Sequence, residues 1–221
     1  VKESVRKRMS RLNHLQGTTK TAVIMYLYGA SGHAKVIMDI LDSQQIAIEG
    51  LFDDNREIKE LSGHTVRDSK QVKSPLIVSI GNNQIRKKIV ARYLNIEFGK
   101  AIHSSSIVST NAKIGVGSVV MQGAIIQSCA KIGEHCIINT GASVDHDCEI
   151  ADYVHISPHV TLCGNVYVGE GTHIGAGSVV IPGIKIGRWC VIGAGSVVTK
   201  DIPDNVLAAG NRCKVIKAIN V

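Results

Sequence analysis

From Val108 onward an aliphatic residue returns at every sixth position, sixteen times in succession: Val108, Ile114, Val120, Ile126, Ile132, Ile138, Val144, Ile150, Ile156, Leu162, Val168, Ile174, Val180, Ile186, Ile192 and Val198. Neither a helix nor an alternating strand keeps a period of six, whereas a β-solenoid of hexapeptide repeats does. Two residues before most of these aliphatics stands a smaller one, as at Ser106, Ala112, Ser118, Ala124, Ala130, Cys136, Ala142, Cys148 and Ser196. Each repeat therefore offers one large and one small inward side chain, which describes a short strand facing a narrow core. Three residues after the aliphatic the chain favours Gly, Asn or Asp: Gly117, Gly123, Gly141, Asp147, Asn165, Gly171, Gly177, Gly183 and Gly195. These residues tolerate φ > 0, so they mark the corners where the chain turns. Burying sixteen aliphatics at about 1.5–3 kcal/mol each gives a few tens of kcal/mol before chain entropy is subtracted, so no disulfide is required. The six cysteines fit that view. They show no CxxC and no zinc-ligand spacing, and Cys136, Cys148 and Cys190 fall on the small-residue position.

The rest of the composition narrows the function classes. The net charge of +7 is concentrated at one end: residues 1–24 hold Lys2, Arg6, Lys7, Arg8, Arg11 and Lys20 against Glu3, a balance of +5, and the remainder is close to neutral. With no aromatic stacking residues in that segment and no basic stripe elsewhere, no nucleic-acid partner is expected. Met25 stands where an ordinary first strand begins, so residues 1–24 read as a flexible basic extension. No run approaches the roughly 18–20 apolar residues that span a bilayer, and the start is too basic and interrupted for a signal-peptide core. The expectation is a soluble cytoplasmic protein that does not engage membranes.

Residues 25–100 follow a different pattern. MYLYGASGHAKVIMDIL reads as a strand, a Gly-containing turn and a helix; IEGLFDD as a second strand; PLIVSIG as a third; NNQIRKKIVARYL as a second helix. The alternation predicts a small Rossmann-like βαβαβ unit. Its first turn presents backbone N–H groups at a helix N-terminus, suited to a phosphate. GASGHA lacks the full G-x-G-x-x-G fingerprint, and 75 residues are too few for a whole dinucleotide fold, so a nucleotide-linked substrate is expected in place of a redox cofactor. The chain thus divides into 1–24, an α/β unit over 25–100, a β-helix over 101–204 and a C-terminal segment over 205–221.

YGASGH at 28–33, FDD at 52–54, SIGNNQIRKKI at 79–89, VDHDCEI at 144–150, VHIS at 154–157 and the unbroken solenoid together resemble the bacterial UDP-4-amino-sugar N-acetyltransferases and their sialic-acid O-acetyltransferase-like relatives. The resemblance covers residues 25 to about 217. It implies a left-handed, triangular β-helix, acetyl-CoA as co-substrate without a metal, and a homotrimer with active sites between neighbouring β-helices. It also implies that His146 is the catalytic base and Asp147 the acid that raises its basicity, although that family often has Glu there. His155, Gly164, Ala176 and Ala194 match contacts to acetyl-CoA. Ser31, Gly32, His33, Asp53, Asp54 and Gly81 match contacts to the sugar nucleotide, with a UDP-linked amino sugar as acceptor.

The residues themselves support parts of this reading. An imidazole is suited to taking a proton near neutral pH, and His146 stands between Asp145 and Asp147. In the 18-residue triangular coils that the resemblance implies, Gly164 falls beside His146 and His173 beside His155. His155 lies half a coil from His146, so one chain cannot bring those two together and a shared site needs adjacent subunits. No cysteine is paired with a histidine, which favours direct transfer over an acyl-enzyme. O-acetylation of sialic acid or another sugar would use the same groups and stands as the alternative. A zinc-dependent carbonic anhydrase on the same solenoid needs three converging imidazoles, and none of the nine histidines lies five residues from another. A non-catalytic scaffold that binds sugar nucleotides is a third reading.

Overall fold

The computed structural model of the chain describes residues 23–220, which leaves the basic extension, apart from its last residues Val23 and Ile24, outside the described residues. β1 (Ile24–Tyr28) runs into α1 (Gly32–Ser43) and then β2 (Ala47–Asp53). A short hairpin of β3 (Glu60–Leu61) and β4 (His64–Asp68) follows, then β5 (Leu76–Val78) and α2 (Asn83–Val90). The sheet order is β3-β4-β2-β1-β5, with β4, β2, β1 and β5 parallel. β1 therefore has β2 on one side and β5 on the other, the arrangement in which an open α/β sheet forms a ligand crevice at its carboxyl edge. The β3–β4 hairpin replaces the helix that an ideal βαβαβ unit would place between its second and third strands.

Seventeen two-residue strands follow, from β6 (Ala101–Ile102) to β22 (Val197–Val198). They pair in parallel with a register of 18 residues, as in Ile107↔Ile125 and Ile125↔Ser143, and so build three flanks. The first flank aligns Ile107, Ile125, Ser143, Thr161, Val179 and Val197. The second aligns Lys113, Lys131, Glu149, Tyr167 and Lys185. The third aligns Ala101, Val119, Ile137, His155, His173 and Val191, and is extended by β23 (Val206–Ala209) and β24 (Lys214–Ala218).

The inward series is buried as the period requires: from Val120 to Val198 each large aliphatic is at most 4% exposed. The small position is filled by Ala, Cys, Ser, Thr or Val, and once by Ile184, and its polar members find partners along the coil. Ser118 Oγ donates to the Gly133 carbonyl (2.8 Å), Thr172 Oγ1 to that of Gly187 (2.7 Å) and Ser178 Oγ to that of Gly193 (3.1 Å). Cys136, Cys148 and Cys190 are 0–1% exposed and pack there as small side chains. The corners are more uniform than composition suggests. Every sixth residue from Gly117 to Gly195 has positive φ, including Cys129, His135, Tyr153, His159 and Trp189, which bear the strain that Gly avoids. Solenoid geometry overrides residue preference at those five positions.

The α/β unit packs on the third flank. Met25, Leu27, Ile37, Ile40 and Leu41 share one apolar cluster with Ala101, Val119, Met121 and Ile137 of the solenoid. No helix among the described residues is long and apolar enough to cross a membrane. Since Ile138 is fully buried in the prism, Ile138→Ala should lower the unfolding free energy by about 2–5 kcal/mol in a urea titration.

Candidate active site

His146 sits on the edge between the first and second flanks, in the turn from β13 (Ser143–Val144) to β14 (Glu149–Ile150). Its Nδ1 lies 2.8 Å from Asp147 Oδ2, and its backbone N–H donates to Asp145 Oδ1 (2.8 Å). Asp147 reaches the ring because its own backbone is left-handed, with φ 57°. The Asp147 hydrogen bond, and then the charge of Asp145, hold the imidazole above its ordinary pKa. With a carboxylate on Nδ1, Nε2 is left as the basic nitrogen. The ring lies over Gly164, where a Cβ would stand 2.6 Å from Cε1 and Nε2. The missing side chain keeps the reactive face of the imidazole accessible.

His155 opens β15 (His155–Ile156) on the third flank, away from that edge. Its ring lies 4.7 Å from that of His173, centroid to centroid. Asn139 Oδ1 accepts from the Thr140 N–H (2.8 Å), which turns Asn139 Nδ2 toward His155 Nε2 at 3.1 Å. Nε2 is then the acceptor and Nδ1 carries the proton. That Nδ1 is buried without a hydrogen-bond partner, as is His33 Nε2. Burial lowers the His155 pKa to about 3, with help from His173, Arg86 and His33, while the Gly81 backbone opposes the shift. His33 is lowered to about 4 by burial and then by Arg86. Two neutral imidazoles, one from each unit, therefore meet at this junction with a ring nitrogen unused.

The first turn of the α/β unit converges on the same place. Ser31 caps α1 with no side-chain bond of its own, and the first turn of that helix holds no acid. Gly29 has φ 108°, and a Cβ there would meet the Ile80 side chain 2.5 Å away, so the turn closes tightly on the end of β5. Ser79 Oγ bridges the two strand ends by donating to the carbonyls of Tyr28 (2.8 Å) and Gly29 (2.7 Å). Asp53 accepts from the Ala30 N–H through Oδ2 (2.7 Å) and from the Asn55 N–H through Oδ1 (2.8 Å), so it also shapes the turn. Asp54 pairs with Arg92 at 2.7 Å, and hydrogen bonds from Arg92, Ser69 and Tyr28 bring its pKa to about 2.

The residues singled out in the sequence thus fall into two sets. His146, Asp147 and Gly164 share one edge. Ser31, Gly32, His33, Gly81 and His155 gather where the α/β unit meets the third flank, with Asp53 and Asp54 at the neighbouring strand end. Ala176 and Ala194 stack one coil apart on the edge that closes the third flank, where the Gly195 N–H donates to the Ala176 carbonyl (2.8 Å). They are separated from Gly164 by a flank. Among the described residues no group of three or more His, Cys, Asp or Glu side chains is placed to hold a metal. Sequence reasoning passed over Asn139 and Arg86. Arg86 could have been found from its place three and four residues before Ile89 and Val90, on the apolar side of α2.

Residues 25–93 match the PglD N-terminal domain, and residues 129–164 and 165–200 each match the bacterial transferase hexapeptide of six repeats. The chain is 37% identical to PerB from Caulobacter crescentus, solved with CoA and GDP-perosamine, with a TM-score of 0.82 over 89% of this chain and 98% of that one. It is 34% identical to the acetyltransferase domain of PglB from Neisseria gonorrhoeae, solved with acetyl coenzyme A, with a TM-score of 0.82 over 88% and 100% of the two chains. WeeI from Acinetobacter baumannii is 27% identical, with a TM-score of 0.80 over 88% and 100%. A curated protein of Acanthamoeba polyphaga mimivirus, itself uncharacterised, is 34% identical over 96 residues, and the match spans about a fifth (20%) of its length. With this likeness extending over nearly the whole of the solved relatives, the chain belongs to the PglD/NeuD-like sugar acetyltransferases, built from a nucleotide-type α/β unit and a left-handed β-helix of hexapeptide repeats.

Proposed function

We propose that this protein transfers the acetyl group of acetyl-CoA to the amine of a UDP-linked 4-amino sugar, as a homotrimer, with His146 as general base. The observation that carries the reading is the His146–Asp147 pair over Gly164 in a chain that matches, nearly end to end, the perosamine N-acetyltransferase of Caulobacter crescentus, solved with CoA and GDP-perosamine. The N-acetyl chemistry of that relative supports an amine over a hydroxyl acceptor. Its GDP sugar makes the base of the nucleotide a point for direct test.

In this reading the first turn at Ser31, Gly32 and His33 holds the diphosphate, and Gly81, with the strand end at Asp53 and Asp54, encloses the nucleoside. His155, Ala176 and Ala194 lie along the coenzyme on one protomer, while His146, Asp147 and Gly164 come from the edge of the next. The neutral amine attacks the thioester carbonyl, and His146 Nε2 takes its proton as the tetrahedral intermediate forms. An amide at or beside Gly164 donates to the oxyanion. Collapse expels the CoA thiolate, which recovers the proton from the imidazolium.

His146→Ala should lower kcat by about 10²–10⁴-fold while the protein stays folded and binds acetyl-CoA; near wild-type turnover would remove the base assignment. Because the base works deprotonated and its pKa is raised, activity should climb as pH rises through that value and level off above it. Asp147→Asn should move this acid limb to lower pH in kcat/KM profiles, and an unmoved limb would disconnect Asp147 from the base. A panel of UDP- and GDP-linked amino sugars and free sialic acid, followed by CoA-thiol release, identifies the acceptor. Sedimentation at assay concentrations should show a trimer, and an active single chain would contradict a shared site.

A further inference from the structure

Arg86 is 1% exposed although it lies in a charged helix beside Lys87 and Lys88. A guanidinium has five N–H donors, and here the bonds account for all five. Nε donates to the His135 carbonyl (2.8 Å); Nη1 donates to the carbonyls of Ile80 (2.9 Å) and Gly81 (3.3 Å); Nη2 donates to Asn83 Oδ1 (2.7 Å) and the Tyr153 carbonyl (2.9 Å). Asn83 in turn donates through Nδ2 to the Gly171 (3.0 Å) and Thr172 (3.3 Å) carbonyls. No carboxylate partner is among these acceptors. A buried charge held only by neutral dipoles is costly, and an apolar side chain of similar volume would join the two units at less expense. What an apolar side chain lacks is the planar fork, which fixes the direction of five bonds at once.

Those five bonds connect two particular places. Ile80 and Gly81 form the loop after β5, on the nucleotide side of the junction. His135 and Tyr153 are corner residues one coil apart between the second and third flanks, and Tyr153 lies two residues before His155. Arg86 also faces His33, His155 and His173, whose pKa values it lowers together with burial. It therefore touches the supports of both halves of the junction while its own atoms are too enclosed to meet a substrate.

We propose that Arg86 is a positioning residue for acetyl transfer, fixing the Ile80–Gly81 loop against the solenoid so that the acceptor amine and the thioester meet at the required distance and angle. The proposal rests on the acetyl-transfer reading above. If each ligand keeps its own contacts, loss of the fork misaligns the two without releasing either, which lowers kcat more than it raises KM.

The test compares the wild-type full chain with Arg86→Lys, which keeps the charge and loses the fork, and Arg86→Met, which loses both. Expected in each variant is a fall in kcat of about tenfold or more per folded protein, with both KM values within about threefold of wild type. In the ligand-free protein, amide exchange over residues 79–83 should accelerate. Wild-type kcat in Arg86→Lys, or wild-type exchange over residues 79–83 in both variants, overturns the proposal. A lower melting temperature with unchanged kcat makes Arg86 a structural residue only and overturns it too. Should Arg86→Met fail to fold, Arg86→Lys decides alone. If the wild type acetylates none of the acceptors, the functional reading fails by itself, and the ligand-free exchange still decides whether Arg86 holds the loop.

Discussion

Parallel stacking in a fixed 18-residue register is the constraint on which the rest of this structure depends. Each coil satisfies its backbone against its neighbours through short two-residue strands and corner amides, so the ladder is complete only when every coil has the same length. One inserted residue would move large side chains out of the prism and corner residues into the flanks. This explains why the period runs from Val108 to Val198 without interruption, and why Cys129, His135, Tyr153, His159 and Trp189 accept positive φ. Corner strain of about 1–2 kcal/mol per residue is small beside the loss of register for all coils above and below.

The same constraint decides which side chains can cooperate. Residues 18 apart become neighbours, so His146 faces Gly164 and His155 stacks on His173. Residues nine apart are sent to opposite sides of the prism, which separates His146 from His155 within one chain. A rigid prism has no internal motion that closes such a gap. In the proposed reading, completion of a site from two edges falls to association of copies.

Electrostatics separates the two histidine environments. His146 is exposed beside two carboxylates, which favours a basic imidazole. His155 and His33 are enclosed near Arg86, which keeps them neutral and suited to directional hydrogen bonding. One residue type is thereby made more basic on an edge and kept neutral at a junction, through surroundings alone.

Much was legible in the sequence because the period is local information. The solenoid and its inward small and large positions follow from counting along the chain, and the neighbours at 18-residue spacing from that count together with the three-hexad coil that the resemblance implies. So do the first turn around Gly29 and the pairing of His146 with an adjacent acid, since those contacts lie within a few residues. The β3–β4 hairpin was not legible, because its strands are short and carry no apolar alternation. The engagement of both Asp53 oxygens was hidden as well, since Ala30 is brought to that carboxylate by the parallel pairing of β1 with β2. Among three adjacent cations, Arg86, Lys87 and Lys88, only Arg86 lies on the apolar side of α2, and the docking of that helix on the edge between the second and third flanks buries it. The six-residue period, and the strand–turn–helix order of residues 25–100, determined that the chain would form a solenoid with a nucleotide-type unit before it. Contacts between residues 49 to 89 positions apart, such as those of Arg86 and Asn83 with the solenoid, determined how the two were fixed together, because such pairings depend on the packed surface and leave no period in the chain.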